Sequence, residues 1–273
     1  MKDIEAHYSA GNIESRILTA LREAGLDIAQ QLSPVDLGAL DHFHTGGFPA
    51  SLILQELAQI SADDRVLDLG AGLAGPARML AHKPGCRVDC IDLSSDFCAG
   101  AKLLNRLTGL DNLINVHKGS VLELPFSDET FDVVWMQNVG MNIQDKEKFY
   151  SEIHRVLKSN GRFAFQEMTA GILETSYYPL PWATDSSDNF LMTAKDMHCI
   201  LDETGFVSEY FEDVSDSTLN PTANSSSAPS TQVQLSLSVY VDDLGIKAEN
   251  ATRSLQEGQV RFHRGVFRTR EKT

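Results

Sequence analysis

The chain has 273 residues, of which 42% are hydrophobic and 22% charged, the profile of an ordinary globular protein with ample material for a core. Lys and Arg total 23 against 38 Asp and Glu, a net charge of −15. Binding to nucleic acid or to an anionic membrane surface rests on Lys and Arg neutralising phosphate, so this balance argues against both. The four cysteines, Cys86, Cys90, Cys98 and Cys199, have neither C-x-x-C spacing nor the density of a disulfide scaffold. They are expected to be reduced thiols in a cytoplasmic protein. Neither a signal-peptide pattern nor a membrane-spanning apolar run is read from the sequence.

Residues 13–26, IESRILTALREAGL, place Ile13, Ile17, Leu18, Leu21 and Leu26 near helical spacing, with Asn12 as the expected N-cap. A turn-like stretch at 41–48, DHFHTGGF, precedes a second predicted helix at 51–60. From Arg65 the texture changes to short β-branched runs at 65–69, 87–92, 113–118, 131–136 and 161–168. Helical patterns lie between them near 76–83, 95–107 and 145–158. Such alternation, with central runs apolar on both faces, predicts a parallel sheet covered by helices. Right-handed crossovers then bring the C-terminal strand ends to one edge, where ligands bind. Beyond Met168 comes an aromatic insertion at 169–192, then a helix near 193–205 and a strand at 206–214. A polar stretch at 217–232 is read as a mobile loop. The tail is expected to add helix within 234–257 and a last strand at 259–270.

Residues 66–80 read VLDLGAGLAGPARML and contain a complete G-x-G-x-x-G, Gly70 to Gly75, between a predicted strand and a predicted helix. That context suits a ligand seated on a helix N-terminus. Asp92 ends the next predicted strand 17 residues beyond Gly75. Its carboxylate either accepts hydrogen bonds from a ribose or caps the helix that follows. Together these features point to an adenosine-type cofactor. Asp68 selects among such cofactors, because a carboxylate beside the loop opposes a pyrophosphate and attracts a cation. S-adenosylmethionine (SAM) carries an ammonium and a sulfonium and no phosphate there. Asp68 is also compatible with capping the backbone N–H groups of its own loop.

With these residues in view, VLDLGAGLAGPARML, CIDLS, GSVLELPFSDETFDVVW and IHRVLKSNGRFAF resemble the ordered motifs of class I SAM-dependent methyltransferases. The resemblance covers about residues 42–168 and lies closest to the small-molecule branch, which includes ubiquinone/menaquinone, phosphoethanolamine and sarcosine/dimethylglycine methyltransferases. It implies an α/β, doubly wound, Rossmann-like sheet of seven strands, mostly parallel with the last antiparallel. It also implies one domain over 1–273, with an N-terminal helical lid at 1–48, a SAM-binding core at 49–168, and an insertion and C-terminal part at 169–273.

Carried over by position, the resemblance assigns Asp68 and Gly70 to the methionyl end of SAM, Ala71 to the cofactor site, Gly72 to close backbone approach, Asp92 to the ribose and Leu93 to the adenine. Ser120 stands where the family usually has an acidic residue facing the adenine amino group, and Val121 follows it. Gln137 and Asn138 fall on the methionyl side, and Thr45 on the SAM carboxylate. His44 is the candidate general base, with plain packing as its other reading. Asn142 replaces a histidine found in relatives and cannot act as a base. Tyr177, Tyr178 and Trp182 are either an aromatic wall for a cationic substrate or core and lid packing.

The activity expected is transfer of the SAM methyl to an N, O or C nucleophile of a small molecule, leaving S-adenosylhomocysteine (SAH). The competing classes are an NAD(P)-dependent oxidoreductase and a non-catalytic SAM-binding protein. No metal is expected, because no carboxylate cluster follows the fourth predicted strand. Nor is a nucleic-acid or membrane partner expected, and a homodimer is compatible with the sequence.

Overall fold

The computed structural model describes residues 12–219 and 235–271. Seven strands run in the sheet order β3-β2-β1-β4-β5-β7-β6. The chain divides into two compact units, which among the described residues comprise 12–121 with 235–242, and 122–219 with 243–271.

In the first unit β1 (Arg65–Leu69), β2 (Arg87–Asp92) and β3 (Ile114–Lys118) pair in parallel. Val66, Leu67 and Leu69 are fully buried, as expected for a strand covered on both faces. Helix α1 (Ile13–Glu23) buries Ile13, Ile17 and Leu21 and packs on a later helix, Ser95–Leu107. Asn12 makes no side-chain cap; it holds a left-handed φ of 51°, so the predicted N-cap is corrected. A single turn, α2 (Gly38–Asp41), leads to α3 (Gly47–Leu57), which begins four residues before the predicted start. Then come α4 (Gly75–His82) and α5 (Ser95–Leu107), the latter capped by Ser94 accepting from the Phe97 N–H.

In the second unit β4 (Phe131–Gln137) pairs in parallel with β5 (Leu157–Ala170), which runs longer than predicted. β7 (Val260–Thr269) lies antiparallel to both β5 and β6 (Phe206–Asp213). The antiparallel last strand expected from the sequence is therefore present. Phe163 stacks on Phe165 at 4.8 Å, and Phe165 on Phe267 at 5.8 Å, filling the face between β5 and β7. The helices of this unit are α6 (Lys146–Val156), α7 (Ala194–Thr204), α8 (Ser215–Leu219) and α9 (Leu244–Gln256). The expected mobile loop falls, from residue 220 onward, outside the described residues, as do residues 1–11 of the expected lid.

The third glycine of the loop has a role that spacing does not reveal. A Cβ on Gly75 would lie 2.2 Å from the carbonyl oxygen of Asp41, so the start of α4 touches the backbone of α2. Gly75→Ala is expected to lower stability by about 1–3 kcal/mol in urea denaturation, the usual penalty of overpacking a site that cannot relax. An unchanged midpoint would remove this contact from the account.

Candidate functional site

The turn after β1 is built from three left-handed residues, Gly70 (φ 60°), Gly72 (φ 54°) and Ala74 (φ 60°). Hydrogen bonds from Ala71 N–H to Ile91 O (3.2 Å) and from Ala74 N–H to Ala71 O (2.7 Å) hold it against β2. A Cβ built on Gly72 meets nothing within 4 Å, so this glycine serves the backbone angle and leaves open space above the loop.

Asp68 sits just before that turn, 2% exposed, and its Oδ2 has no hydrogen-bond partner. Burial, and then the negative charge of Asp92, push its pKa up to about 8, with Arg78 opposing. A buried carboxylate oxygen left without a partner is costly to the folded chain and marks a place for an incoming donor. Asp92 at the end of β2 is differently placed. Its Oδ2 accepts from the Gly72 N–H and its Oδ1 from the Ser94 N–H, both at 2.8 Å. The helix cap falls to Ser94, so the carboxylate braces the loop, and its remaining lone pairs can still take hydroxyl donors. Leu93, next in line, is 38% exposed, an apolar surface suited to a planar base. Gly119 N–H bonds Asp92 O at 3.0 Å, which sets Ser120 (half-buried) and Val121 (buried) beyond the end of β3.

The segment before α3 carries His44 and Thr45, both half-buried. The two nitrogens of His44 are engaged within this unit: Nε2 with Ser51 Oγ (3.0 Å) and His42 Nδ1 (3.3 Å), Nδ1 with Thr45 O (3.3 Å). Burial lowers its pKa to about 4, so the ring is neutral at pH 7. Asp41 and Arg78 were not singled out from the sequence. Arg78 is fully buried and donates to Asp41 Oδ2 (2.6 Å), Leu73 O (2.6 Å) and Asn105 Oδ1 (2.8 Å), tying α2, the glycine turn and α5 together. The available signal was a lone arginine in the otherwise uncharged run GPARMLA, residues 75–81. Tyr240 adds a further hold, its hydroxyl donating to Leu40 O at 2.8 Å.

In the second unit Gln137 ends β4 and accepts from the Trp135 indole N–H at 3.0 Å. Asn138 follows with a left-handed φ of 56°, its N–H on Gln166 O at 2.9 Å. Asn142, half-buried, donates its backbone N–H to Val139 O at 3.0 Å. Tyr178 and Trp182 belong to an apolar cluster with Met141, Met168 and Phe262, and Asn189 links the two rings. Tyr177 lies elsewhere, bonded to Glu257 at 2.7 Å with the Arg253 guanidinium 4.0 Å over its ring. The structure therefore separates Tyr177 from the other two aromatic residues. Among the described residues no three His, Cys, Asp or Glu side chains are grouped to hold a metal ion, and no helix is long and apolar enough to cross a membrane.

Residues 67–165 match the family model described as a methyltransferase domain. Over 111 residues the chain is 41% identical to the glycine/sarcosine/dimethylglycine N-methyltransferase of Actinopolyspora halophila, which covers 41% of this chain and 20% of that protein. Over 142 residues it is 36% identical to the sterol 24-C-methyltransferase of Eremothecium gossypii, covering 49% of this chain and 38% of that one. The matched stretch thus spans well under half the length of these relatives. Among solved structures, the Haemonchus contortus phosphoethanolamine N-methyltransferase 2 with phosphomonomethylethanolamine and SAH aligns with a TM-score of 0.70 at 17% identity. That alignment covers 100% of this chain and 61% of the other, and it shows a shared fold.

Proposed function

We propose that the protein is a SAM-dependent enzyme that methylates an N, O or C nucleophile of a small molecule, a reading supported by the match of residues 67–165 to the methyltransferase domain model. The observation that carries the reading is Asp68, a buried carboxylate with an orphaned oxygen beside a glycine turn that leaves open space above it. A dinucleotide would bring phosphate charge to that carboxylate; an ammonium or sulfonium is matched to it. When bound, SAM supplies a methyl group made electrophilic by its sulfonium.

The chain's own part is binding, alignment and exclusion of water. Asp68, with Gly70 and Ala71, receives the methionyl end. Asp92, anchored by the Gly72 and Ser94 N–H groups, presents lone pairs to the ribose. Leu93 and Val121 offer apolar surface to the adenine and Ser120 a hydroxyl. Thr45 is assigned to the SAM carboxylate, and Gln137 and Asn138 to the methionyl side. Holding reactants in line can supply roughly 7–11 kcal/mol of the barrier without acid–base chemistry. His44 is neutral at pH 7, but its nitrogens are tied to Ser51, His42 and Thr45, so removing a proton requires those bonds to open. The packing of Tyr178 and Trp182 supports a structural role for both. A small-molecule acceptor in place of nucleic acid is supported by the net charge of −15, and a cytoplasmic setting by the free, buried thiols of Cys86, Cys90 and Cys98.

Titration calorimetry tests the reading. SAM and SAH are expected to bind, and NADH and NADPH are not. Asp92→Ala is expected to weaken SAH binding by about 1.5–3 kcal/mol, the worth of a charge-assisted hydrogen bond. Binding of NAD(P)H without SAM would return the chain to the oxidoreductase class.

A further inference from the structure

Glu167 lies near the end of β5 with 1% of its surface exposed, and a carboxylate so deeply buried must be satisfied locally. Its partners are backbone N–H groups: Val139 (3.2 Å) and Gly140 (2.5 Å) donate to Oε2, and Met168 (2.8 Å) to Oε1. Two of the three belong to the turn that leaves β4. Gly140 is held from its other side as well, because Lys146 Nζ, at the start of α6, donates to its carbonyl at 2.5 Å. The fit leaves no room for a side chain, since a Cβ on residue 140 would lie 2.7 Å from Oε2. One residue earlier on β5, Gln166 accepts the Asn138 N–H through its carbonyl. Adjacent residues of β5 therefore fix Asn138, Val139 and Gly140 in succession, including the left-handed Asn138, an angle asparagine adopts more readily than most non-glycine residues.

From this geometry we infer that Glu167 is a positioning residue for the reaction, acting through the 138–142 turn to hold Asn138 and Asn142 at the cofactor edge of β4. The inference rests on the methyltransferase reading, which places that edge at the methionyl side of SAM. Glu167 touches neither cofactor nor acceptor in this role; it sets the backbone that does. The groups facing it are Lys146 and Tyr150 of α6 and His263, its register partner on β7. Burial raises the Glu167 pKa to about 7, with Lys146 and the three N–H donors opposing. Protonation near neutrality therefore weakens the clamp on Val139 and Gly140, which a purely steric filler would not do.

The test uses the full chain and SAH as the probe, with amide NMR spectra recorded from about pH 5.5 to 9. In the wild type the amide signals of Val139, Gly140 and Met168 are expected to titrate together, and Glu167→Gln to abolish that step. Glu167→Gln is also expected to weaken SAH binding about tenfold. Gly140→Ala pushes on the same carboxylate without removing its charge and keeps the question open to test if the first variant does not fold. It is expected to weaken SAH binding several-fold. Wild-type SAH affinity in either folded variant would overturn the positioning role while leaving the methyltransferase reading intact. Failure of the wild type itself to bind SAH would overturn that reading instead.

Discussion

Arg78→Ala is expected to lower the unfolding free energy by about 3–5 kcal/mol, the range for breaking a buried ion pair by removing one partner. The guanidinium has no exposed surface, and its three bonds close the space between α2, the glycine turn and α5. Its loss strands Asp41, whose second oxygen, Oδ1, already has no hydrogen-bond partner. The sign of the pH dependence follows from Asp41. Burial raises its pKa to about 6 despite Arg78, so its contribution to stability is present below about pH 4 and is lost as pH rises through 6. Without Arg78 the charged form is worse still, so the penalty of Arg78→Ala should shrink between pH 7 and pH 5 as Asp41 takes up a proton. Urea denaturation at both values measures this. A penalty below about 1 kcal/mol at pH 7 would mean that water or a rearranged α2 replaces the guanidinium.

SAM affinity is expected to rise with pH up to about 8, by roughly tenfold per unit where one full proton is released. Without ligand, Asp68 has its pKa at about 8 and is mostly protonated at pH 7. A cation placed against it restores the carboxylate, so binding at pH 7 expels the proton. Above about pH 8 the gain stops, because Asp68 is then already ionised without ligand, and the ligand's own α-amino group begins to lose its charge. For the ligand-free chain the linkage runs the other way. The stability contributed by Asp68 is present below about pH 4 and lost as pH rises through 8. Calorimetry in two buffers of different ionisation enthalpy reads the proton release directly. Asp68→Asn should abolish the release from this residue and weaken SAM binding by about 2–5 kcal/mol at pH 8, the range for truncating one partner of a buried charged pair. An unchanged proton count in Asp68→Asn would assign the titration to another group, with Asp92, also raised by burial, next to be replaced.

The strand–helix alternation, the glycine turn and the carboxylates at 68 and 92 are all legible along the chain. All of these follow from local rules: side-chain periodicity, backbone angles that few residues adopt, and short spacings along one βαβ unit. The boundaries that shifted, at the start of α3 and in the length of β5, lie where Gly46 and strand pairing, with β4 at Leu157 and with β7 as far as Ala170, overrule composition. The partners of the buried polar groups, by contrast, come from distant parts of the chain. Asp41 meets Arg78 across 37 residues, Glu167 meets Gly140 across 27, and Tyr240 reaches Leu40 across 200. Folding likewise put Trp182 in an apolar cluster and tied up the nitrogens of His44. A hydrogen bond is directional and depends on where two distant backbones come to rest. Burial of an apolar face depends only on the pattern each segment carries, so the fold was legible along the chain and the polar wiring of the site was not.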